Sequence, residues 1–407
     1  MKRRSFLPLA ASLWVGLPGF IVARSRSSAK VQGKFIGDPV YLELPLAAKA
    51  PWDAWLDQAA RFREHEIMVF DLELARSGRK QAAPAKKQGI SFECPERSSA
   101  WFGTEDARKM ADNLLTWQTP TGGWTKNTAM TRHRRAPGQR YSPWDEWGYV
   151  ATIDNKATTS QIEFLARVAT GTGKESYGMG AERGLRYLLA AQMPSGGWPQ
   201  VFPLQGVYHD QITFNDDAMV RVLIQLRNIK NRKAPWQFIS GDLRRDLDAA
   251  VQRGIQCILN SQVRVGGKLT AWCAQHHPIS LAPVGARSYE LASLSGGETV
   301  GIVKFLMSLG NPTSEIRTAV EAAIAWLRRS AVDAAALGQK GTRGLQWTRF
   351  YEIETNRPLF SDPDGAKRYS FNEVKAKRNT YAWFTDSPAA LLNRDYPKWK
   401  RRIAAGS

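Results

Sequence analysis

Polar side chains cluster in two short segments, each placed just before a helical pattern. The first is TIDN (152–155), and the second is YHD (208–210) followed closely by TFNDD (213–217). An Asp or Asn before a helix usually caps it, and capping accounts for one such residue per helix. Two clusters of carboxylate and amide oxygens at equivalent helix starts are also suited to converge as hard ligands for Ca²⁺. The pattern alone leaves capping and calcium binding both open.

A third polar segment contains an arginine and a pair of histidines. Arg287 lies in a loop with Glu290 following shortly after, so a structural ion pair is the simplest interpretation of this arginine. The adjacent residues His276 and His277 give only a weak zinc signal, because no third ligand follows at a characteristic spacing.

A fourth segment places arginines among aromatic residues, in RFYE (349–352), NRP (356–358) and RNTYAW (378–383). Arginine pairs with carboxylates in a bidentate manner and stacks on flat rings, so this composition suits carboxylate-bearing sugars. Packing between solvated side chains explains the same pattern equally well. Spacing does not separate these two interpretations.

The elements that position these segments follow from an internal repeat. A phrase of two apolar residues, a glutamine and a Gly-Gly pair occurs around Gln118, Gln192 and Gln262, with a tryptophan after the first two copies and Lys268 in its place after the third. The apolar residues before each glutamine have helical spacing and end at the glycines. A repeat of roughly 70 residues holds two helices with long loops. We therefore predict an all-α fold, an (α/α)₃ toroid of paired helices whose long loops form a cleft at one end.

Composition limits the class of partner. The chain has 407 residues, 15 tryptophans and a formal net charge of +20. This charge favours an anionic partner, and the tryptophans suit a groove that stacks flat ligands such as sugars. The basic residues are scattered and no nucleic-acid motif accompanies them, so we expect no nucleic-acid partner.

The N-terminus has the layout of an export signal. MKRRSFL (1–7) precedes a short apolar run, which resembles a twin-arginine signal peptide over residues 1–26. A membrane anchor is disfavoured by the prolines and the shortness of that run. We expect an exported protein, periplasmic or secreted, that is monomeric and has no stable membrane association after signal removal. Residues 27–95 form an extension of unknown role, and the catalytic domain is predicted over 96–396.

Several long strings, taken in order, resemble one family. They are GGWTKN (122–127), TIDNKATTSQIEFLA (152–166), SGGWPQVFP (195–203), YHDQITFNDDAM (208–219), LTAWCAQHHP (269–278), ARSYELASLSGGE (286–298) and RFYEIETNRPLF (349–360). Together they resemble the pectate lyases of polysaccharide lyase family 10, over about residues 101–383. The resemblance implies an (α/α)₃ toroid that cleaves α-1,4-polygalacturonate by β-elimination and leaves a 4,5-unsaturated product.

The resemblance also implies roles for single residues. Asp154, Asn155 and Asp216 would hold Ca²⁺, and Arg287 would be the base that removes the C5 proton of the uronate. The candidates for binding substrate are Lys126, His209, Asp210, Arg357 and Arg378. The sequence departs from the family pattern at Lys156, His277 and Pro363.

An arginine base needs a chemical justification. Guanidinium has a pKa above about 12 and is normally protonated. Nearby Ca²⁺ and other cations favour its neutral form by like-charge repulsion. The chemistry leaves a second role open, in which Arg287 stabilises enolate charge while another group takes the proton.

Two other functions fit parts of the sequence. A toroid that binds acidic polysaccharide without cleaving it would keep the same fold. A glutamine followed by Gly-Gly-Trp also resembles the QW repeats of terpene cyclases, which are (α/α) barrels as well. Those cyclases need an acidic DxDD or DDxxD cluster in an apolar cavity, and this chain has neither motif.

Overall fold

The structure is a computed structural model that describes residue 35 and residues 37–144, 151–230, 234–339, 345–375 and 381–405. The predicted signal peptide, residues 1–26, lies outside these described residues. The α-helices are α1 Pro39–Leu42, α2 Leu46–Arg76, α3 Glu105–Thr116, α4 Thr159–Thr172, α5 Glu175–Ala191, α6 Ala218–Lys230, α7 Gly241–Ser261, α8 Glu298–Met307, α9 Ser314–Arg329, α10 Ser387–Ala390 and α11 Tyr396–Ala405. Side-chain oxygens of Thr104, Ser240 and Thr313 cap the first turns of α3, α7 and α9.

Helices α3 to α9 form two concentric rings. Helices α4, α6 and α8 are buried over most of their surface, and each packs against the next in an inner ring. Helices α3, α5, α7 and α9 bury one apolar face each and follow one another in an outer ring. This arrangement is the predicted (α/α)₃ toroid.

The repeated glutamines join neighbouring outer helices. The Gln118 side-chain amide donates to the Gly122 carbonyl and, at 2.9 Å, to the Gly180 carbonyl of α5. Gln192 bonds in the same way to Ala250 of α7, and Gln262 to Ala319 of α9. Because each amide satisfies carbonyls of two elements at once, the glutamine fixes the end of one helix to the middle of the next.

The tryptophans of the repeat differ from the sequence prediction. The indole nitrogens of Trp124 and Trp198 donate to carbonyls of Leu114 and Leu188 at the preceding helix ends. Trp272 makes the equivalent bond to Ile258, so placing Lys268 at the tryptophan position was wrong. In this copy Gly266 and Gly267 form the turn of a β-hairpin, Arg264–Val265 with Lys268–Leu269, which displaces the tryptophan along the chain.

A fourth copy of the repeat, which the sequence prediction missed, has the same hydrogen bond from a tryptophan indole to a carbonyl of the preceding helix. Trp347 donates to the carbonyl of Leu327 near the end of α9, at 2.7 Å. No glutamine or Gly-Gly pair precedes this tryptophan at the corresponding place. The tryptophan is therefore the constant part of the repeat, and the glycines are not.

Short antiparallel strand pairs hold the loops at one end of the rings. Three of these pairs connect successive copies of the repeat: Ala151–Thr152 with Val201–Phe202, Ile212–Thr213 with Gln275–His276, and Leu294–Ser295 with Phe350–Tyr351. Two more pairs are Trp347–Thr348 with Phe384–Thr385, and Phe360–Ser361 with Lys367–Arg368. The connecting pairs place the turn before each inner helix at an equivalent position in the ring.

The N-terminal extension packs against the toroid through α2. Its Trp55 indole donates to the carbonyl of Ala190 at 3.1 Å, and the rings of Trp55 and Phe62 contact Phe202. The Arg63 guanidinium donates to the Leu204 carbonyl at 2.8 Å. Residues of the extension thus share the hydrophobic core of the helical rings. Among the described residues, no helix is both long enough and apolar enough to cross a membrane.

A buried carboxyl group on α2 makes this docking sensitive to pH. Glu66 is buried against Thr121, whose hydroxyl donates to one carboxyl oxygen, while the other oxygen has no partner among the described residues. Burial raises the pKa of Glu66 to about 8 from its ordinary 4.5. The protonated form therefore stabilises the fold. That stabilisation is complete below the unfolded pKa and is lost as the pH rises through 8.

We expect Glu66→Gln to remove this pH dependence. Between about pH 5 and about pH 9, the melting temperature of the wild type should fall by several degrees more than that of Glu66→Gln, as measured by differential scanning calorimetry. Glu64→Gln, an exposed change on the same helix, is the control and should follow the wild type. Equal pH dependence in Glu66→Gln and the wild type would contradict a buried, mostly protonated Glu66.

Candidate active site

Two turns at the mouth of the toroid present the acidic segments. Residues 154–156 and 215–217 each form a short 3₁₀ turn directly before an inner helix, and the two turns contact each other. Asn155 and Asp216 occupy equivalent places and both have left-handed backbones, with φ of 50° and 51°. Asn and Asp tolerate this conformation better than most residues, although it is strained for any side chain. The turns therefore aim polar side chains into the space between them.

A polar cleft of about 180 Å³ opens beside these turns. It is lined by Lys126, Asp154, Asn155, Gln200, Tyr208, Asn215, Asp216, Gln275, Arg287 and Glu290. The cleft collects the predicted residues Lys126, Asp154, Asn155, Asp216 and Arg287, which are widely separated along the chain. Its ionic lining differs from the apolar cavity that a terpene cyclase needs.

The second residue after each repeat tryptophan occupies a common position. These residues are Lys126, Gln200, Ala274 and Arg349. In two copies the residue is a cation that contacts an acidic turn. The Lys126 ammonium bonds the Oδ2 of Asp154, and the Arg349 guanidinium donates to Asn215 Oδ1 at 2.9 Å.

Arg349 is the centre of a buried ion network. Its Nη2 lies 3.1 Å from Glu298 Oε1 and 3.5 Å from Asp216 Oδ1. Burial lowers the pKa of Arg349, but Glu298, Tyr381 and Asp216 outweigh it, so the pKa is raised and the side chain stays charged.

Desolvation raises the pKa of Asp216. The neighbouring carboxylates of Glu298 and Asp154 act in the same direction, against Arg349. Mutual repulsion of this kind is typical of a site that holds a cation.

Arg287 forms the ion pair that its spacing with Glu290 indicated. Its Nε and Nη2 donate to the two carboxylate oxygens of Glu290 at 2.7 and 2.5 Å. The Tyr381 hydroxyl donates to the same carboxylate at 2.7 Å, and the Tyr289 ring lies under the guanidinium at 4.8 Å. The Glu290 hydrogen bonds raise the pKa of Arg287 above its ordinary value despite partial desolvation. The Arg287 side chain is 45% exposed and lines the cleft.

An aromatic wall borders the cleft. The rings of Tyr208 and His209 stack with centroids 3.9 Å apart. Burial raises the pKa of Tyr208 to about 12, so its hydroxyl keeps its proton. Burial, with Lys126 adding to it, lowers the pKa of His209 to about 4, so the imidazole is neutral near pH 7.

Other predicted residues lie elsewhere or have other partners. The Asp210 carboxylate accepts backbone N–H groups of Gln205 and Gly206 at 2.7 and 2.5 Å, so it holds its own loop. Arg357 stacks on the Tyr369 ring at 3.6 Å. Arg378 lies outside the described residues.

The two histidines of the third segment serve the structure around them. His276 is buried, accepts from the Cys273 N–H through Nε2, and has Nδ1 2.8 Å from the Leu281 carbonyl. His277 pairs with Asp38 of the N-terminal extension at 3.0 Å. These contacts account for both side chains without zinc.

The donor set fits a hard cation. The converging groups are carboxylate and amide oxygens of Asp154, Asn155, Asn215 and Asp216, with no sulfur or imidazole among them. Across the described residues, no group of three or more His, Cys, Asp and Glu side chains is arranged to hold a metal ion, and two members of this set are asparagines. Carboxylate and amide oxygens are the ligands that calcium takes in proteins.

Sequence reasoning gave Gln200 no role in the site. It identified Arg349 only as part of an aromatic-rich segment and Glu290 only as an ion-pair partner of Arg287, without their contacts in the cleft. Gln200 is the second residue after Trp198, as Lys126 is after Trp124, so comparing these two copies of the repeat would have indicated it. Recognising the fourth copy would have indicated Arg349 in the same way. Gln200 and Gln275 each carry a buried side-chain oxygen without a partner among the described residues, and both line the cleft. Such orphaned acceptors are suited to receive hydroxyl groups of a bound molecule.

The double ring of helices carries an ion-lined cleft among the loops at its mouth, and this fold occurs in enzymes of more than one class. A family model described as pectic acid lyase matches residues 118–392, and the chain belongs to this family. The protein is a polysaccharide lyase. The match begins after α2, so the N-terminal extension lies outside the family model.

Two solved structures resemble the chain closely. One is the family 10 polysaccharide lyase from Cellvibrio cellulosa, with 33% sequence identity and a TM-score of 0.64. The other is an aspartate-to-alanine mutant of the Cellvibrio cellulosa enzyme in complex with trigalacturonic acid, with 33% identity and a TM-score of 0.65. Each comparison covers 74% of this chain and 94% of the other. None of the curated proteins matches the chain in sequence.

Loss of Arg349 should destabilise the protein because it leaves Glu298 without its cation. Glu298 is only 5% exposed, and breaking a buried ion pair costs about 3 kcal/mol or more. We expect Arg349→Met to lower the free energy of unfolding by about this amount in urea titrations. The double variant with Glu298→Gln should recover part of the loss.

The matched control is Arg357→Met, an exposed arginine that should cost under about 1 kcal/mol. A double variant no more stable than Arg349→Met would show that the Glu298 contact does not carry the effect.

Proposed function

We propose that the protein is a pectate lyase that cleaves α-1,4-linked polygalacturonate by calcium-assisted β-elimination and releases 4,5-unsaturated oligogalacturonides. The observation that carries this proposal is the convergence of all-oxygen donors from two turns beside Arg287 in a single cleft. The complex of the related Cellvibrio cellulosa enzyme with trigalacturonic acid supports a uronate substrate. The net charge of +20 also favours a polyanionic substrate.

The residues proposed for metal binding are Asp154, Asn155 and Asp216. When bound, calcium would neutralise the uronate carboxylate and make the C5 proton more acidic. The left-handed turns at Asn155 and Asp216 orient these two side chains, so their own oxygens need little rearrangement to meet a cation.

Arg287 is proposed as the base that takes the C5 proton, after which the C4 oxygen leaves. In the free protein Glu290 holds this guanidinium charged, which opposes the role. Cations close to Arg287 act in the opposite direction, since like charge favours its neutral form. The balance between Glu290 and the cations thus sets the pH at which Arg287 becomes active.

Substrate binding is assigned to the cations and aromatic residues of the cleft rim. Lys126 and Tyr208 both line the cleft. We assign Lys126 to a uronate carboxylate, and Tyr208 with the adjacent His209 ring to contact with a sugar. Arg357 and Arg378 remain candidates for more distant sugars. The contacts of Asp210 favour a supporting role in which it shapes the loop that carries His209.

The setting proposed for this enzyme is outside the cytoplasm, since its polymeric substrate does not enter cells. Residues 1–26 would act as a twin-arginine-type signal, and the exported protein would be a monomer, periplasmic or secreted. We propose residues 96–396 as the catalytic domain, supported from outside by α2. Polygalacturonate is the partner, and no nucleic acid is involved.

Lyase activity should be calcium-dependent and should need Arg287. Polygalacturonate with Ca²⁺ should give rising ultraviolet absorbance from the unsaturated uronate, and EDTA should abolish the rise. Arg287→Ala should lower kcat by about 100- to 10,000-fold, as expected for loss of a general base. The control Arg264→Ala removes an exposed arginine of the hairpin and should retain full activity. An equal rate with EDTA, or full activity in Arg287→Ala, would contradict the mechanism.

Removing the Glu290 charge should shift the pH profile to lower pH. Its hydrogen bonds raise the pKa of Arg287, so Glu290→Gln should lower that pKa and let the neutral form accumulate at lower pH. The rise of kcat/KM with pH should therefore move to lower pH by about one unit or more. Tyr381→Phe, which leaves the carboxylate in place, is the control. A folded Glu290→Gln protein with an unmoved profile would contradict Arg287 as the base.

A further inference from the structure

Both carboxylate oxygens of Asp154 already have a partner in the free protein. Its Oδ2 is bonded by the Lys126 ammonium, and its Oδ1 accepts the backbone N–H of Asn155 at 2.9 Å. The Asp154 side chain is 4% exposed and that of Lys126 is 18% exposed. A cation that binds Asp154 must therefore compete with an ammonium that already neutralises this carboxylate in a largely desolvated position.

The other cations around the cleft have different principal partners. Arg349 is bound by the buried Glu298, and Arg287 is paired with Glu290. Lys156 is next to the proposed ligands in sequence, but its ammonium pairs with Glu93 of the N-terminal extension. Lys126 is bonded directly to a proposed calcium ligand, on a flexible side chain that can change partner.

We propose that Lys126 is a displaceable counter-ion of Asp154, which weakens calcium binding by the free protein and couples it to substrate binding. This inference rests on the proposed function. A uronate carboxylate entering the cleft offers Lys126 a new anionic partner, so Asp154 is released when substrate is present. Calcium and oligogalacturonate then bind with positive cooperativity, and by linkage each strengthens the binding of the other by the same factor.

The repeat places Lys126 and Arg349 at equivalent positions beside the two acidic turns. Lys126 is the second residue after the first repeat tryptophan, and Arg349 is the second residue after the fourth. Glu298 anchors Arg349 firmly, so that arginine stays beside Asp216 whether or not the site is filled. Of these two equivalent cations, one is fixed and the other is exchangeable.

Isothermal titration calorimetry with CaCl₂ tests the proposal directly. All proteins carry Arg287→Ala, which prevents cleavage, and each is titrated with and without trigalacturonic acid. In the absence of the trisaccharide, Lys126→Met should tighten calcium binding by about fivefold or more, because the competing ammonium is gone. The same variant should lose most of the strengthening that the trisaccharide gives in the parent protein.

Lys156→Met is the matched control, since it removes an equal charge one residue from Asn155 while leaving the Lys126–Asp154 pair intact. Circular dichroism confirms that each variant is folded. Unchanged or weaker calcium binding in Lys126→Met would overturn the proposal, and so would equal tightening in both variants, which would indicate bulk electrostatics.

The same titrations distinguish failure of the Lys126 counter-ion role from failure of the calcium-dependent function. If calcium binds the parent protein and Lys126→Met with equal affinity, only the counter-ion role fails. If no variant binds calcium even with trigalacturonic acid present, the calcium-dependent function fails and takes this proposal with it.

Discussion

The repulsion between acidic groups crowded into one cleft is the constraint that the rest of the structure satisfies. Burial raises the pKa of Asp216 at the mouth of the toroid, and the nearby carboxylates of Glu298 and Asp154 raise it further. A protein keeps such groups charged and adjacent only if counter-charges are fixed nearby. Lys126 and Arg349 supply these counter-charges from equivalent places in the repeat. A site balanced in this way is suited to exchange a side-chain cation for a metal ion.

The geometry of the helical rings brings these acidic groups and their counter-charges together. The repeated glutamines set the spacing of the outer helices, and the buried indoles of Trp124, Trp198, Trp272 and Trp347 attach each loop to the helix before it. Strand pairs then bring the turns before the inner helices to the same level. Long-range order therefore comes from buried polar side chains that each bond to two elements of the rings.

The fold could be predicted from the sequence because the repeat is explicit and helical periodicity is strong. Two details of the repeat could not be predicted. The hairpin at Gly266 and Gly267 displaces Trp272 along the chain, and the fourth copy, at Trp347, has no Gly-Gly pair to mark it. The cluster of Asp154, Asn155, Asp216 and Arg287 was recognisable from polar density and family resemblance.

The partners in the site were harder to predict. Arg349 contacts Asn215 across 134 residues of chain, and no local pattern reports such a contact. Asp210 was predicted as a substrate ligand from the family resemblance, whereas its bonds to the backbone of the preceding loop depend on how that loop folds. The pair of Arg287 with Glu290 was the exception, because its spacing already indicated an ion pair.

The most direct test of calcium binding by the two turns is a crystal structure of the Arg287→Ala protein with trigalacturonic acid and Ca²⁺. We predict calcium bound to Asp154, Asn155 and Asp216 and to a uronate carboxylate. A trisaccharide seated in the cleft with calcium elsewhere, or with none bound, would contradict the central claim.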